Sequence, residues 1–187
     1  DLAAHEANPV RFFDASLKDH MAFNQQMESC MEKALAKGEF EVWYQPKYDI
    51  RTHSCIGAEA LVRWRSSRLG FLMPGRFIEL FERNGFVVRL DFYMLESVFR
   101  FQRQRLQAGL PIVPISVNQS RLHMTEEGYL EKMRQVLSRY QKVPAGAVEL
   151  ELTETAFMGF NDAQRVEALS IVSELQAMGF AISMDDF

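Results

Sequence analysis

The chain has 187 residues, enough to bury a hydrophobic core, and its 48% apolar and 25% charged residues are the balance of an ordinary globular protein. The net charge of −4 excludes a broad electrostatic attraction to nucleic acid or to an anionic membrane surface. No apolar run reaches the length of about 18 residues that a membrane span needs, so this segment is expected to make no membrane contact.

The cysteines and histidines indicate no disulfide or soft-metal chemistry. Cys30 and Cys55 have no metal-type spacing and form no disulfide framework, which predicts reduced thiols in a cytoplasmic protein. The histidines are scattered in polar contexts and are predicted to be solvated surface residues: His5, His20, His53 and His123.

A linker and one helix precede the first predicted strand. Residues 1–13 are predicted to be a linker, and a helix is predicted from Asp14 to Lys37. Its apolar side chains recur at three-to-four spacing: Leu17, Met21, Met27, Met31 and Leu35. We predict that residues 1–37 either lie on the same domain or connect it to an upstream domain, and that residues 38–187 form the main domain.

Strands and helices then alternate along the chain. The predicted strands span residues 40–50, 57–64, 112–118, 148–153 and 180–186. The predicted helices run from Pro74 to Gly85, from Asp91 to Ala108, from a Thr125 cap to the residue before Pro144, and from an Asn161 cap to Gly179. This alternation predicts an α/β fold with a mainly parallel sheet, either open or part of a closed (β/α) barrel.

The last predicted helix has the clearest start signal. Gln164 stands three residues after Asn161, in the position of a capping box. The predicted inward face consists of Val166, Leu169, Val172, Leu175 and Met178.

Oxygen-bearing side chains stand near the carboxyl ends of four of the five predicted strands. Sites in parallel α/β folds form at that edge of the sheet. The second strand presents Glu59, Leu61 and Arg63 on one face, because side chains alternate along a strand. The later strands end in Asn118, in Glu151 and Thr153, and in Asp185 and Asp186. Taken singly, these residues also fit a turn, a cap or a solvated strand edge, but together they predict one site.

The carboxylates of this site would repel one another unless cations neutralised them. The repelling set is Glu59, Glu151, Asp185 and Asp186, whose formal charge two divalent ions would cancel. Because all the ligands are oxygens, Mg²⁺ or Mn²⁺ is favoured over zinc. Paired metals are suited to phosphoester hydrolysis, with Arg63 binding a phosphate and Gln45 contacting the ligand. The residues by themselves do not identify the substrate.

These motifs resemble those of the EAL domain family over about residues 30–187. The triplet that names the family is present as Glu59-Ala60-Leu61. The other matching stretches are Tyr44 to Lys47, Gly57 to Trp64, Pro74 with Phe77-Ile78, Ser116 to Asn118, Glu151 to Glu154, and Asp185 to Phe187. A bare triplet means little, whereas five motifs in the family's order at strand ends are specific.

The resemblance implies a fold, an activity and partners. The fold would be a TIM-like (β/α)₈ barrel whose first strand runs antiparallel to the others. The activity would be hydrolysis of the bacterial messenger cyclic di-GMP to linear pGpG, with two Mg²⁺ or Mn²⁺ ions and inhibition by Ca²⁺. The partners would be a second copy, bound through the EAL domains, and an upstream GGDEF or sensory domain.

The resemblance also assigns roles to individual residues. The metal ligands would be Glu59, Asn118, Glu151, Asp185 and Asp186, and the four carboxylates among them would be the catalytic residues. The substrate contacts would be Gln45, Leu61 and Arg63. Glu154 would steady the loop that follows Asp185-Asp186. Gln119 stands where the family usually has Leu, a departure that is expected to be tolerated.

Five of the eight strands of such a barrel are predicted within the chain. The Lys, Glu and Gln that the family places on later strands have no counterpart here. We therefore expect the amino-terminal part of an EAL domain, inactive or poorly folded unless completed. Intact metal ligands favour an enzyme, whereas a receptor that binds cyclic di-GMP without cleaving it stays open. A third alternative, a dimerisation or partner surface alone, has no specific support.

Overall fold

Six strands form one sheet in the part of the chain that the computed structural model describes, residues 15–153 and 161–185. The strands are β1 (Phe40–Tyr48), β2 (Cys55–Ser66), β3 (Gly70–Leu72), β4 (Ile115–Gln119), β5 (Val148–Thr153) and β6 (Ala181–Asp185). Their order across the sheet is β1-β2-β4-β5-β6, with β3 paired to the end of β2. β1 and β3 run antiparallel to β2, whereas β2, β4, β5 and β6 are parallel to one another.

Helices provide the crossovers that parallel strands require. Those in the described residues are α1 (Ala15–Ala36), α2 (Ile78–Arg83), α3 (Phe86–Gln107), α4 (Tyr129–Arg139) and α5 (Asp162–Ala177). Short 3₁₀ turns at Pro74–Arg76 and Arg121–Thr125 come before α2 and α4. The helices α3, α4 and α5 each lead from one parallel strand to the next.

The main core lies between the helices and one face of the sheet. Ala60 of β2, Val117 of β4 and Leu150 of β5 are buried there against Leu95 of α3 and Leu175 of α5. Complete burial of each large apolar side chain stabilises the fold by roughly 1.5–3 kcal/mol. The opposite face, called the inner face below, carries the alternate residues of each strand.

A second cluster of mainly aromatic side chains lies between α1 and the first strands. The rings of Phe40 and Trp64 stack with centroids 4.9 Å apart, and Phe81 packs beside both. Met27 and Ala34 of α1 are buried in this cluster. Over this stretch α1 therefore packs against the first strands, and the division of the chain into residues 1–37 and 38–187 stays a prediction.

β2 approaches the residues before β4 closely at Gly57. The backbone N–H of Ala58 donates to the carbonyl of Pro114 at 3.0 Å. A Cβ on Gly57 would lie 3.1 Å from the same oxygen. The absence of a side chain at Gly57 therefore allows the parallel pairing of β2 with β4 to begin here.

α3 begins at Phe86, whereas the sequence predicted a start at Asp91. Gly85 has a φ of +76°, a left-handed conformation that reverses the chain and lets the next helix begin immediately. Asn84 Oδ1 supports the turn by accepting the N–H of Phe86 at 3.1 Å. Asp91 therefore lies inside the helix, where it is buried.

The predicted Thr125 cap of the next helix is wrong. Ser120 accepts the N–H of Leu122 and begins a 3₁₀ turn instead, and the Thr125 hydroxyl donates back to the carbonyl of Leu122 at 3.2 Å. α4 starts only at Tyr129, after Gly128. A local side chain-to-backbone hydrogen bond has thus replaced a helix start.

The capping box of α5 is confirmed, but its predicted inward face is partly wrong. Gln164 N–H donates to Asn161 Oδ1 at 2.9 Å, and Asn161 N–H donates to Gln164 Oε1 at 3.0 Å. Leu175 is buried as predicted, whereas Val166 is 69% and Leu169 59% exposed. The buried stripe is rotated, so that Ala168 faces the core in their place.

Two strand predictions also need correction. β3 was not predicted, because a strand of three residues is too short to show periodicity. The strand predicted from residue 112 begins at Ile115, since Pro114 has no N–H to donate to a ladder.

Candidate active site on the inner face of the sheet

The inner face of the sheet carries a row of polar side chains. Residues paired in register share a face, and the pairs are Gln45 with Glu59, Glu59 with Ser116, Asn118 with Glu151, and Glu151 with Ser183. Because side chains alternate along a strand, the intervening residues lie on the opposite face of the sheet, against the helices. The row therefore brings together three predicted metal ligands, Glu59, Asn118 and Glu151.

Glu59 and Asn118 are joined directly across the boundary between β2 and β4. The amide Nδ2 of Asn118 donates to Oε1 of Glu59 at 3.0 Å. Glu59 is half-buried and Asn118 is exposed at the carboxyl end of β4. The side chain of Asn118 thus fixes the orientation of the carboxylate on the neighbouring strand.

Lys47 connects β1 to β5 over the same face. Its ammonium donates to Oε1 of Glu151 at 2.7 Å and to Oγ of Ser116 at 2.9 Å. Glu151 is only 6% exposed, and a buried carboxylate is costly without a counter-charge. The sequence prediction gave Lys47 no role, although its spacing of two from Gln45 places it on this face.

The charge of Lys47 reflects the acidity of the inner face. Burial disfavours the charged form of its ammonium. The hydrogen bond to Glu151 and the charges of Glu151, Glu149 and Glu59 outweigh burial, so the pKa of Lys47 is raised above its usual value. The inner face therefore favours a bound positive charge.

The second oxygen of Glu151 is suited to a further cation. Oε2 is buried and has no hydrogen-bond partner within the described residues, and Oγ of Ser183 on the adjacent strand is in the same condition. An unpaired buried carboxylate oxygen is costly, and a bound ion is one remedy. Carboxylate and amide oxygens are the ligands that Mg²⁺ and Mn²⁺ prefer. Glu59, Asn118 and Glu151 therefore fit the predicted divalent metals.

Three predicted site residues lie at the edge of the described part of the chain or outside it: Asp185, Asp186 and Glu154. Asp185 is the last residue of β6, and its backbone is in register with Thr153 of β5. Asp186 and Glu154 lie outside the described residues. Among the side chains that are described, no group of three or more His, Cys, Asp and Glu could hold a metal ion. The two-metal centre and the loop role of Glu154 stay predictions.

The predicted substrate contacts lie on the inner face of β1 and β2. Gln45 is exposed directly opposite Glu59, and Leu61 is paired with Trp43. The guanidinium of Arg63, which is half-buried, lies over the indole of Trp43 at 5.7 Å from the ring centroid. The register thus places all three predicted contacts on the face that carries the metal-ligand candidates, with Gln45 directly opposite Glu59.

A cavity of about 250 Å³ lies at the carboxyl ends of β2 and β4. Leu61 and Asn118 line it together with Pro74, Asp91 of α3 and Ser120. Its volume is near the lower end of small-molecule sites. There is accordingly room for a ligand group next to Asn118.

His123 is buried, so the prediction that all the histidines are solvated is wrong. Its Nε2 lies 2.9 Å from Oδ2 of Asp91, an oxygen that also accepts the N–H of Ser120 at 2.8 Å. The 3₁₀ turn after β4 brings His123 next to Asp91. Because the Asp91 carboxylate is buried, it is costly without hydrogen-bond donors, and His123 lies within hydrogen-bond distance of it. The other histidines are His20 and His53, exposed as predicted, and His5, outside the described residues.

Gln119, the departure noted in the sequence, has partners for both ends of its amide. It is 4% exposed, its Oε1 accepts the hydroxyl of Tyr129 at 3.2 Å, and its Nε2 donates to the carbonyl of Asn118 at 3.1 Å. Burial raises the pKa of the Tyr129 phenol, aided by the charges of Asp91 and Glu126. A neutral Tyr129 therefore keeps its proton for Gln119.

The chain is similar in sequence to proteins of one family. The EAL domain family model matches residues 29–187. An uncharacterized protein of Mycobacterium tuberculosis is 36% identical over 182 residues, which cover 97% of this chain and 57% of that protein. MucR of Pseudomonas aeruginosa, named as a bifunctional diguanylate cyclase/cyclic di-GMP phosphodiesterase, is 33% identical over 96% of this chain and 26% of its own length. The chain thus spans about half of the first relative and a quarter of the second.

A solved structure described as the MucR phosphodiesterase in complex with c-di-GMP aligns with a TM-score of 0.77 at 33% identity, over 87% of this chain and 64% of that one. The predicted fold is thereby confirmed as a TIM-like barrel with an antiparallel first strand, of which five main strands and the short β3 lie in the described residues. No helix in residues 15–153 and 161–185 is long and apolar enough to cross a membrane.

Proposed function

This chain belongs to the EAL domain family, and from that membership we propose that it is part of a metal-dependent phosphodiesterase that hydrolyses cyclic di-GMP to linear pGpG. The similarity to MucR, which is named as a cyclic di-GMP phosphodiesterase, supports the substrate class. Hydrolysis would add water across one phosphodiester bond of the cyclic dinucleotide and leave the second bond intact.

The observation that carries this proposal is the polar row on the inner face. Asn118 holds Glu59 at 3.0 Å, and Glu151 keeps one buried oxygen without a partner in the described residues. A carboxylate that served only to stabilise the sheet would have both oxygens satisfied. The arrangement is therefore suited to a ligand that brings positive charge.

The metals proposed are two Mg²⁺ or Mn²⁺ ions. The residues that would hold them are Glu59, Asn118, Glu151, Asp185 and Asp186. Bound ions at such ligands supply activated water and neutralise phosphoryl oxygens. The chain's own contribution is to fix the ligands: Asn118 orients Glu59, and strand β5 buries Glu151.

The substrate contacts proposed are Gln45, Leu61 and Arg63. The guanidinium of Arg63 presents a planar set of donors that matches a phosphate. Gln45, directly opposite Glu59, would orient the ligand by hydrogen bonds, and Leu61 would provide an apolar surface beside the cavity.

The decisive experiment follows cyclic di-GMP by chromatography in the longest natural form of the protein, with Mg²⁺ or Mn²⁺ and then with a chelator. We expect metal-dependent formation of pGpG, abolished in Glu59→Ala. Glu131→Ala is the matched control, because its side chain is 63% exposed on α4 and away from the inner face. Turnover that persists in Glu59→Ala, or that ignores the chelator, would contradict the proposal.

A receptor that binds cyclic di-GMP without cleaving it is the second candidate. Lys47 favours it, because its ammonium already neutralises one oxygen of Glu151 without a metal. A receptor would bind the ligand with the chelator present and form no pGpG under any condition. The same experiment therefore separates the two functions.

Partners of the whole protein are also proposals. A solved structure described as the Vibrio cholerae LapD S helix-GGDEF-EAL has an EAL region with this fold. We propose that an upstream GGDEF or sensory domain joins this chain through α1 and that two copies associate through their EAL domains. Mass measurement of the full protein over a range of concentrations tests the second statement.

A further inference from the structure

The two arginines on the inner face of β2 have different partners on β1. Glu41 is paired in register with Arg63, yet its carboxylate holds Arg65 instead. It accepts Nε of Arg65 at 2.6 Å and Nη2 at 3.3 Å, and it also accepts Nε1 of Trp43 at 3.1 Å. Arg63 lies with its guanidinium over the indole of Trp43, and its Nη1 donates to the carbonyl of Val62 at 2.8 Å, so no carboxylate of the described residues holds it.

Arg65 pairs diagonally with Glu41, which lies opposite Arg63 on the neighbouring strand, and other neighbours of Arg65 favour this pairing. Glu39, the residue directly before β1, accepts the backbone N–H of Arg65 at its carbonyl at 2.8 Å, and its carboxylate accepts the Ser67 hydroxyl at 2.7 Å. On its other side Arg65 pairs with Phe71 of β3, and its guanidinium lies 5.2 Å from the centroid of that ring. Glu41 is thus the carboxylate left for Arg65.

The charges of this pair are matched to each other. The hydrogen bonds from Arg65, and then from Trp43, lower the pKa of Glu41, and the bond to Glu41 raises the pKa of Arg65. Opposite charges that face each other across a strand pair normally associate. Glu41 is the carboxylate in register with Arg63, so without Arg65 it would be able to pair with Arg63 instead.

We propose that Arg65 is a positioning residue that keeps Glu41 occupied, so that Arg63 stays available to an anionic phosphodiester ligand. The inference rests on the proposed function, which supplies the phosphate and gives Arg63 the contact. It adds a residue that does not itself touch the substrate. The role follows from the diagonal pairing and from the fork of donors that Arg65 presents to Glu41.

The test compares wild type, Arg65→Gln, Glu41→Gln and the double variant in the full-length protein. The Kd of cyclic di-GMP is measured by calorimetry, and kcat and KM are measured with Mg²⁺. In Arg65→Gln, Glu41 is expected to capture Arg63 and raise Kd and KM about two- to fivefold, the range of one exposed ion pair, with kcat unchanged. Glu41→Gln leaves Kd unchanged or lower, and the double variant returns Kd to the wild-type value.

Three results would overturn the inference: a wild-type Kd in Arg65→Gln, a double variant as weak as Arg65→Gln, or a fall in kcat equal to the rise in KM. The side chain of Arg65 is 60% exposed, and thermal unfolding checks that its removal leaves the fold intact. Arg134→Gln with Glu174→Gln, a remote exposed pair, is the matched control. A wild type that binds no cyclic di-GMP overturns the proposed function itself, whereas normal binding with no effect of Arg65→Gln overturns this inference alone.

Discussion

The ammonium of Lys47 lies 2.7 Å from Oε1 of Glu151, although the two residues stand on β1 and β5, with β2 and β4 between them. Three strand spacings measure about 14 Å along a flat sheet. Contact between these side chains therefore requires the sheet to curve around its inner face. The ion pair is a direct sign of barrel curvature.

Replacing Lys47 with Met should destabilise the protein by about 1–3 kcal/mol, because the buried Glu151 loses its counter-charge. The loss is limited by solvent, since the Lys47 side chain is 43% exposed. Urea unfolding of wild type and Lys47→Met measures the difference. Arg134→Gln, which breaks an exposed pair with Glu174, should cost at most about 1 kcal/mol.

Divalent metal should reduce the cost of Lys47→Met. A cation bound by Glu151 would replace the missing ammonium, so the difference in unfolding free energy should shrink as Mg²⁺ is added. This experiment tests metal binding without any measurement of turnover. An equal difference with Mg²⁺ and with chelator would argue against Glu151 as a ligand.

Asp91→Ala should destabilise the turn that follows β4. The N–H of Ser120 and Nε2 of His123 would both lose their acceptor inside the protein, at a cost of roughly 2–4 kcal/mol. Hydrogen exchange at Ser120 to Thr125 should accelerate more than exchange in α5. Unchanged protection in this turn would show that Asp91 does not hold it.

Gln119→Leu should destabilise this protein by about 1–2 kcal/mol. The buried hydroxyl of Tyr129 would lose its acceptor. Tyr129→Phe in the Gln119→Leu background should recover most of that loss, because no polar group is then left unpaired. The free energies of unfolding of wild type, the two single variants and the double variant form a double-mutant cycle that measures the coupling between Gln119 and Tyr129. Additive losses of stability would contradict this coupling.

Ser67→Ala should lower stability at neutral pH and have no effect in strong acid. The Ser67 hydroxyl is the main reason that the pKa of Glu39 lies below its usual 4.5. A lowered folded-state pKa contributes stability above the unfolded value, and that stability is lost as the pH falls through the folded value. Stability curves of wild type and Ser67→Ala should therefore converge below pH 4.5. A constant gap down to acid pH would assign the effect to packing.

The sequence predicted the parallel strands and the face that each presents, because period-two alternation in β2 and β5 is strong. It failed where a few local hydrogen bonds decide the chain path. Ser120 replaced the Thr125 helix start with a 3₁₀ turn, and the left-handed Gly85 moved the start of α3 to Phe86. The rotated stripe of α5 reflects tertiary packing, which the apolar spacing does not encode.

Within the candidate site, motif order and strand periodicity were enough to predict that Glu59, Asn118 and Glu151 share one face. The contacts between distant strands were not predictable in this way. Lys47 reaches Glu151, and His123 reaches Asp91, through pairings that depend on sheet curvature and on burial. The sequence around Lys47 or His123 contains no pattern that predicts which distant carboxylate each will contact.

The reversed direction of β1 decides where the polypeptide enters the barrel. α1 ends at Ala36, a few residues before β1, and the amino end of β1 lies beside the carboxyl end of β2. The chain that leads into β1 therefore arrives at the carboxyl-end rim of the parallel strands. A parallel first strand would have placed it at their amino-end rim. Glu39 and Glu41 follow the end of α1 within a few residues, and Glu41 lies across from Arg63. The topology thus places the entry of the chain on the same rim as the candidate site.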